Sequence, residues 1–245
     1  MKKEKGFTLV EAIVALFIGS LMLMAIYAAV NSSQSSASKV EKRVSAQQDA
    51  RGALDLMAME IQMASYNPRL DDHIWRNPAD CNSASAHPTY KGIQIATANS
   101  ITVEMDINDS GFINTTNNDN ETIKYVYDST NKYITRSTNC TGGDQPFLGS
   151  TDANAKTVSV VNNTAGTGGT AIPVFRYYNG TGTDISNTVV SSPADNILGI
   201  PAIRRIEITL VVDASSSDQG TSTNRRIIYS SSVIIRNHIP VTPTY

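Results

Sequence analysis

Charge is scarce in this chain, and neither sign prevails. Asp, Glu, Lys and Arg make up 17% of its 245 residues, with a formal net charge of −2, against a usual ~25% charged. Nucleic-acid binding wants a basic face, so that class is set aside. There are only two cysteines. That excludes a cysteine-rich scaffold and a four-thiolate zinc site, and leaves room for one disulfide. The histidines, His73, His87 and His238, show no HExxH or paired spacing and read as surface or structural groups. Gly166-Thr167-Gly168-Gly169-Thr170 lacks the Gly-Lys-Ser/Thr ending of a phosphate loop, and it reads as a surface loop. Ser, Thr, Asn and Gly fill the space that charge leaves. With 40% hydrophobic residues the chain is too apolar for a solvated disordered polymer. The balance fits loop-rich β structure on a secreted or surface protein.

What is present is concentrated at the start. Lys2, Lys3 and Lys5 precede a run, Phe7 to Val30, whose only charge is Glu11. A helix of about 20 apolar residues crosses a bilayer core of ~30 Å, and the flanking lysines set the leader on the cytoplasmic side. An ordinary secretory signal has a shorter apolar core followed by a small-residue cleavage site. Here the apparent processing point, Gly6-Phe7, lies before the apolar run, so a cut there removes the charged leader and keeps the helix.

Glu11 is the informative residue. An ionisable group at membrane depth costs about 2.5–3.5 kcal/mol on insertion scales and is a functional hypothesis by default. Cleavage after Gly6 creates an α-amino group at Phe7, one helical turn before Glu11. The carboxylate then meets its own amine or that of an adjacent subunit, and the second pairing also sets register between helices. The plain alternative is a membrane anchor that tolerates one Glu.

Gly6-Phe7-Thr8-Leu9-Val10-Glu11 followed by an apolar helix resembles the class III leader of type IV pilins and pseudopilins. The resemblance implies that a prepilin peptidase cuts after Gly6 and methylates the Phe7 amine. It also implies that Glu11 pairs with a neighbour's Phe7 amine during filament assembly.

Asn31 to Ser38 is polar but holds no Pro or Gly, so nothing forces a break. Beyond it Val40, Val44, Leu54, Met57, Ile61 and Ala64 fall at helical spacing, with Gln47 in the same row. Pro68 ends the pattern. A continuous helix over 7–66 is expected, roughly 90 Å long at ~1.5 Å per residue, with Gly19 and Gly52 as its weak points. Its segment from Asp49 to Tyr66 resembles PilW-type minor pilins and J-type minor pseudopilins of type II secretion. The expected divisions are a cleaved leader (1–6), a membrane and assembly half (7–30), an amphipathic half (31–66) and a β-rich extracytoplasmic domain (67–245).

In that domain short strand signals alternate with turns. The candidates are 92–96, 101–106, 122–128, 132–136, 157–161, 172–178, 203–213 and 225–236, the last two forming an antiparallel hairpin. Stretches near 110–120, 139–155 and 162–171 read as exposed loops. One long helix and then strands with no interleaved helices argue for an α+β fold with a mostly antiparallel sheet. That agrees with the pilin-like fold the leader implies, and the close of the chain, Val233-Ile234-Ile235-Arg236-Asn237, also resembles PilW-type proteins.

Three further features carry candidate chemistry. Cys81 and Cys140 would lie outside the cytoplasm, where disulfides persist. A bond between them would close a loop of roughly 60 residues and add ~4 kcal/mol in the chain-entropy model; the alternative is two free buried thiols. Asp106, Asn108, Ser110 and Phe112, with Gly111 at the sharp turn, partly match a calcium-binding loop. The closing Glu is absent: Asn117 stands there, with Asp119 and Glu121 soon after. The competing reading is a polar turn between strands. Trp75 with Tyr90, Tyr177 and Tyr178 offers either a sugar platform or ordinary packing.

The expectation is a minor pilin or minor pseudopilin and no enzyme, requiring no cofactor, with calcium as a candidate ion. It is held in the bacterial inner membrane by a single pass, its globular domain periplasmic, and it then joins a pilus at the cell surface, priming or capping the tip. Its partners are other pilin subunits, the prepilin peptidase, the inner-membrane assembly platform and the lipid bilayer, with no nucleic acid. The competing functions are a tip-carried adhesin, a type II secretion pseudopilin and, from a third class, an anchored extracytoplasmic enzyme.

Overall fold

The computed structural model describes residues 6–71, 74–76, 91–113, 120–139, 143–150, 158–189, 199–214 and 226–238. A single long helix, α1 (Leu9–Gln62), is unbroken through Gly19 and Gly52. The chain divides into two units, Met1–Val44 and Ser45–Tyr245. In the first unit the apolar side chains of α1, Leu9 to Val30, are exposed. In the second, α1 buries Ala46, Ala50, Ala53, Leu54, Met57 and Ile61.

That buried face keeps Leu54, Met57, Ile61 and Ala64 of the expected stripe and departs from it at its start. Val40 and Val44 are exposed, and the row of contact starts at Ala46 with small side chains. Alanine lets a sheet come close to the helix axis, so shape decides this face as much as hydrophobicity does. The C-terminal end also comes earlier than residue 66. Met63 and Ala64 close the last turn with bonds to Glu60 and Ile61, and Ser65 then turns left-handed at φ 65°. Its N–H donates to the Glu104 carbonyl at 2.8 Å. Gly92 packs against this corner with φ 82°, where an added Cβ would lie 2.6 Å from the Ser65 Cα.

Nine strands follow among the described residues. β1 (Ile93–Ala96), β2 (Ser100–Glu104), β3 (Thr122–Asp128), β4 (Tyr133–Thr138) and β5 (Gln145–Leu148) form an antiparallel meander in that order. Ile123, Tyr125 and Tyr127 alternate inward along β3, as period-2 geometry requires. β5 falls inside a stretch expected to be loop. It carries Pro146, which an edge strand tolerates because its outer N–H has no ladder partner to lose.

The second sheet is built on β8 (Arg205–Ala214). β9 (Arg226–Ile234) runs antiparallel along one edge, from Arg205↔Ile234 to Asp213↔Arg226 without a bulge. The other edge is shared by β7 (Phe175–Tyr178) at the start of β8 and β6 (Val158–Val160) at its end. Between those two partners the ladder would be open. The buried side chain of Asn162 fills the gap, donating to the carbonyls of Thr209 (2.8 Å) and Ile172 (3.2 Å) and accepting from Val211 N–H (2.9 Å). Unmet backbone groups there would be costly, so this side chain acts as a piece of strand. The helix and both sheets share one apolar core. The architecture is α+β with antiparallel sheets and a long N-terminal apolar helix, consistent with a pilin-like fold.

Candidate functional site

The start of α1 is where the sequence concentrates its chemistry. Gly6, Phe7 and Thr8 are non-helical, and the helix begins at Leu9. The Thr8 carbonyl accepts the first intrahelical bond, from Ala12 N–H at 3.2 Å, which makes Thr8 the N-cap. Its hydroxyl accepts from Glu11 N–H at 3.3 Å, while the Glu11 carboxylate accepts from Thr8 N–H at 3.3 Å and from the Thr8 hydroxyl at 3.4 Å. This reciprocal Thr-x-x-Glu arrangement is a capping box, which satisfies helix donors that have no intrahelical partner. Phe7, the residue after the expected processing point, is 85% exposed. Sequence reasoning named Gly6, Phe7 and Glu11 and gave no role to Thr8, although the Thr-x-x-Glu spacing before an apolar run was there to be read.

The expected calcium-loop residues lie together on one turn. Both oxygens of the buried Asp106 carboxylate accept backbone N–H groups, from Ser110 (3.0 Å) and Gly111 (2.9 Å). Asn108 Oδ1 also accepts from Ser110 N–H (2.9 Å), and the Ser110 hydroxyl donates to the Phe112 carbonyl (2.9 Å). Asp109, at φ 57°, holds Arg69 at 2.9 Å. These contacts are those of a polar turn. Among the described residues, no three His, Cys, Asp or Glu side chains gather as metal ligands. Asn117, Asp119, Tyr90 and the expected disulfide partners Cys81 and Cys140 lie outside the described residues. Trp75 packs with Ile74 and Ile113, whereas Tyr177 is buried in the main core, so these two aromatics form no common platform.

Several buried polar groups hold the second unit together. Glu60 on α1 takes a hydrogen bond from the Tyr125 hydroxyl and a two-point contact from Arg136, at 2.6 and 3.1 Å. Burial first, then the Glu60 contact, raises the Tyr125 phenol above its ordinary range. The Glu60 hydrogen bond likewise strengthens the proton hold of Arg136. Glu104 is fully buried, bonded to the Gln94 amide and to Arg76 N–H, and burial pushes its carboxyl up to about 8. His238 is buried at the end of β9's continuation. Its ring nitrogens reach the Ser65 hydroxyl at 2.8 Å and the carbonyls of Lys91 and Ile200 at 2.9 Å. Burial lowers its pKa, favouring the neutral ring. A groove of about 540 Å³ beside α1 is lined by Gln48, Asp49, Leu56, Phe147 and Ser150 among others.

The class of protein follows from the first of these features together with the helix. α1 is long and apolar enough to cross a membrane, and none of its apolar window is buried within the protein. Residues 1–27 match the family model described as the prokaryotic N-terminal methylation motif. The match covers Lys2 to Gly6, Phe7, Glu11 and most of the apolar run. It supports a type IV pilin-like leader, a membrane-anchored chain, and a subunit of the pilin or pseudopilin kind. No curated protein and no solved structure matches the chain.

Proposed function

We propose that this chain is a minor pilin or minor pseudopilin, processed at Gly6-Phe7, methylated on the Phe7 amine, and built into a type IV pilus-like filament that it primes or caps. The observation that carries the reading is a lone carboxylate, Glu11, at the head of an apolar helix whose sides are bare in the single chain. Bare apolar surface on that scale is covered either by lipid or by the helices of other subunits. A charge so near the membrane-buried end calls for a partner of opposite sign, and the new Phe7 amine supplies one. The resemblance of the body to PilW-type or J-type proteins supports the minor-subunit and tip placement. The globular domain is then periplasmic before assembly and surface-exposed afterwards. No catalytic chemistry is part of this function. No cofactor is required for this function; calcium stays a candidate ion for the Asp106 turn, where each carboxylate oxygen accepts one backbone N–H and keeps a lone pair.

Mass spectrometry of the mature chain tests the processing, with methylated Phe7 as the expected N-terminus. Glu11→Ala is expected to insert into the membrane like the parent but to enter filaments at a fraction of the parent level. Normal incorporation of Glu11→Ala, or a mature chain that keeps Met1, refutes the reading.

A further inference from the structure

We infer that Thr8 is a positioning residue for leader removal, the N-cap that keeps the Gly6–Phe7 peptide bond outside the helix. The inference rests on the processing step proposed above. Hydrolysis of that bond adds water across the amide, leaving a carboxylate on Gly6 and an amine on Phe7. A peptidase that cleaves by attack on a carbonyl must reach it from one face. Inside a helix that face is occupied by the helix's own hydrogen bonds and side chains.

The structure shows what fixes the boundary. Leu9 is the first helical residue, the Thr8 carbonyl takes the first helical bond, and the Thr8 hydroxyl takes Glu11 N–H. An N-cap residue holds extended backbone dihedrals while the chain after it is helical. Thr8 therefore ends the helix two residues downstream of the scissile carbonyl. In an apolar surrounding the effect is sharper, because water is absent to satisfy the first-turn N–H groups in its place. Without the cap, the start of α1 shifts among registers, and only a fraction of chains presents an extended Gly6–Phe7 segment. A fractionally populated competent state weakens apparent binding by that fraction.

The same box prepares the next step. Glu11 already accepts the Thr8 N–H, and the amine released by cleavage appears one residue before it. The carboxylate is thus aimed at the helix end where its proposed partner emerges.

The test uses the full chain in detergent with purified prepilin peptidase, following release of residues 1–6 by mass. Thr8→Val keeps the shape but loses the acceptor; Thr8→Ser keeps the hydroxyl. Thr8→Val should raise KM about fivefold with kcat unchanged, the size of effect that loss of an N-cap produces. Thr8→Ser should lie within about twofold of the parent. An unchanged KM in Thr8→Val, a loss confined to kcat, or a Thr8→Ser variant as poor as Thr8→Val overturns the inference. A parent chain that the peptidase leaves uncut instead overturns the proposed function, and this inference with it.

Discussion

Glu104 shows how much one side chain depends on its surroundings. Its carboxyl is completely buried, and burial outweighs the help it receives from the nearby Arg76 and Gln94, so its pKa rises from 4.5 to about 8. The folded protein therefore holds a proton there that the unfolded chain releases above about pH 4.5. The stability this group contributes is fully present below about 4.5 and declines as pH climbs towards 8. Glu104→Gln keeps the shape and cannot ionise. It should gain stability relative to the parent between about pH 5 and pH 8, read as urea midpoints at the two values. A constant difference between variant and parent would refute the assignment. None of this is visible in the sequence, where Glu104 lies inside an ordinary alternating run. Glu11 is the opposite case: its place in an otherwise uncharged stretch marks it without any structure. Thr8 lies between the two, since its spacing to Glu11 is legible but its bonding is not.

At the level of elements, the join between helix and sheet is the telling one. Glu60 is the polar member of an otherwise apolar helical face, and it meets Arg136 on β4 and Tyr125 on β3. Removing one partner of such a pair leaves the other buried and uncompensated, which is strongly destabilising. Arg136 is partly exposed, with 26% of its side chain open, so water recovers some of the loss. Arg136→Met should cost roughly 2–3 kcal/mol, and Glu60→Leu added to it should recover most of that. Chemical denaturation of the four corners of this double-mutant cycle checks both, and additive losses would count against the coupling. The strands themselves were largely readable. Alternation marked Ile123, Tyr125 and Tyr127, and it also marked Ile206, Ile208 and Leu210. β5 escaped because four residues with a proline at the second carry almost no periodic signal, and only pairing with β4 makes them a strand. Asn162 escaped for a related reason. A polar residue in a polar stretch gives no hint that it will bridge two partners of a distant strand.

As a whole molecule the chain has two characters. Described residues from Ala46 onward share a core, while the apolar side chains of the helix from Leu9 to Val30 are exposed. A chain starting at Ser45 should accordingly stay soluble and melt within a few degrees of the full chain in detergent, since the contacts of the domain are its own. Aggregation or a non-cooperative melt would show that the anchor half is needed for the fold.

The amino-acid order alone set the leader motif, the apolar span and the α+β character. These depend on local properties: charge placement, run length and period, each read within a few residues. The tertiary structure decided where along the helix burial begins, at Ala46 and past the exposed Val40 and Val44. It also decided where the helix stops, at a left-handed Ser65 against Gly92, and how β8 collects three partners. Those outcomes depend on close approach between segments far apart in the chain, where fit and hydrogen-bond completion outweigh the preference of any single residue.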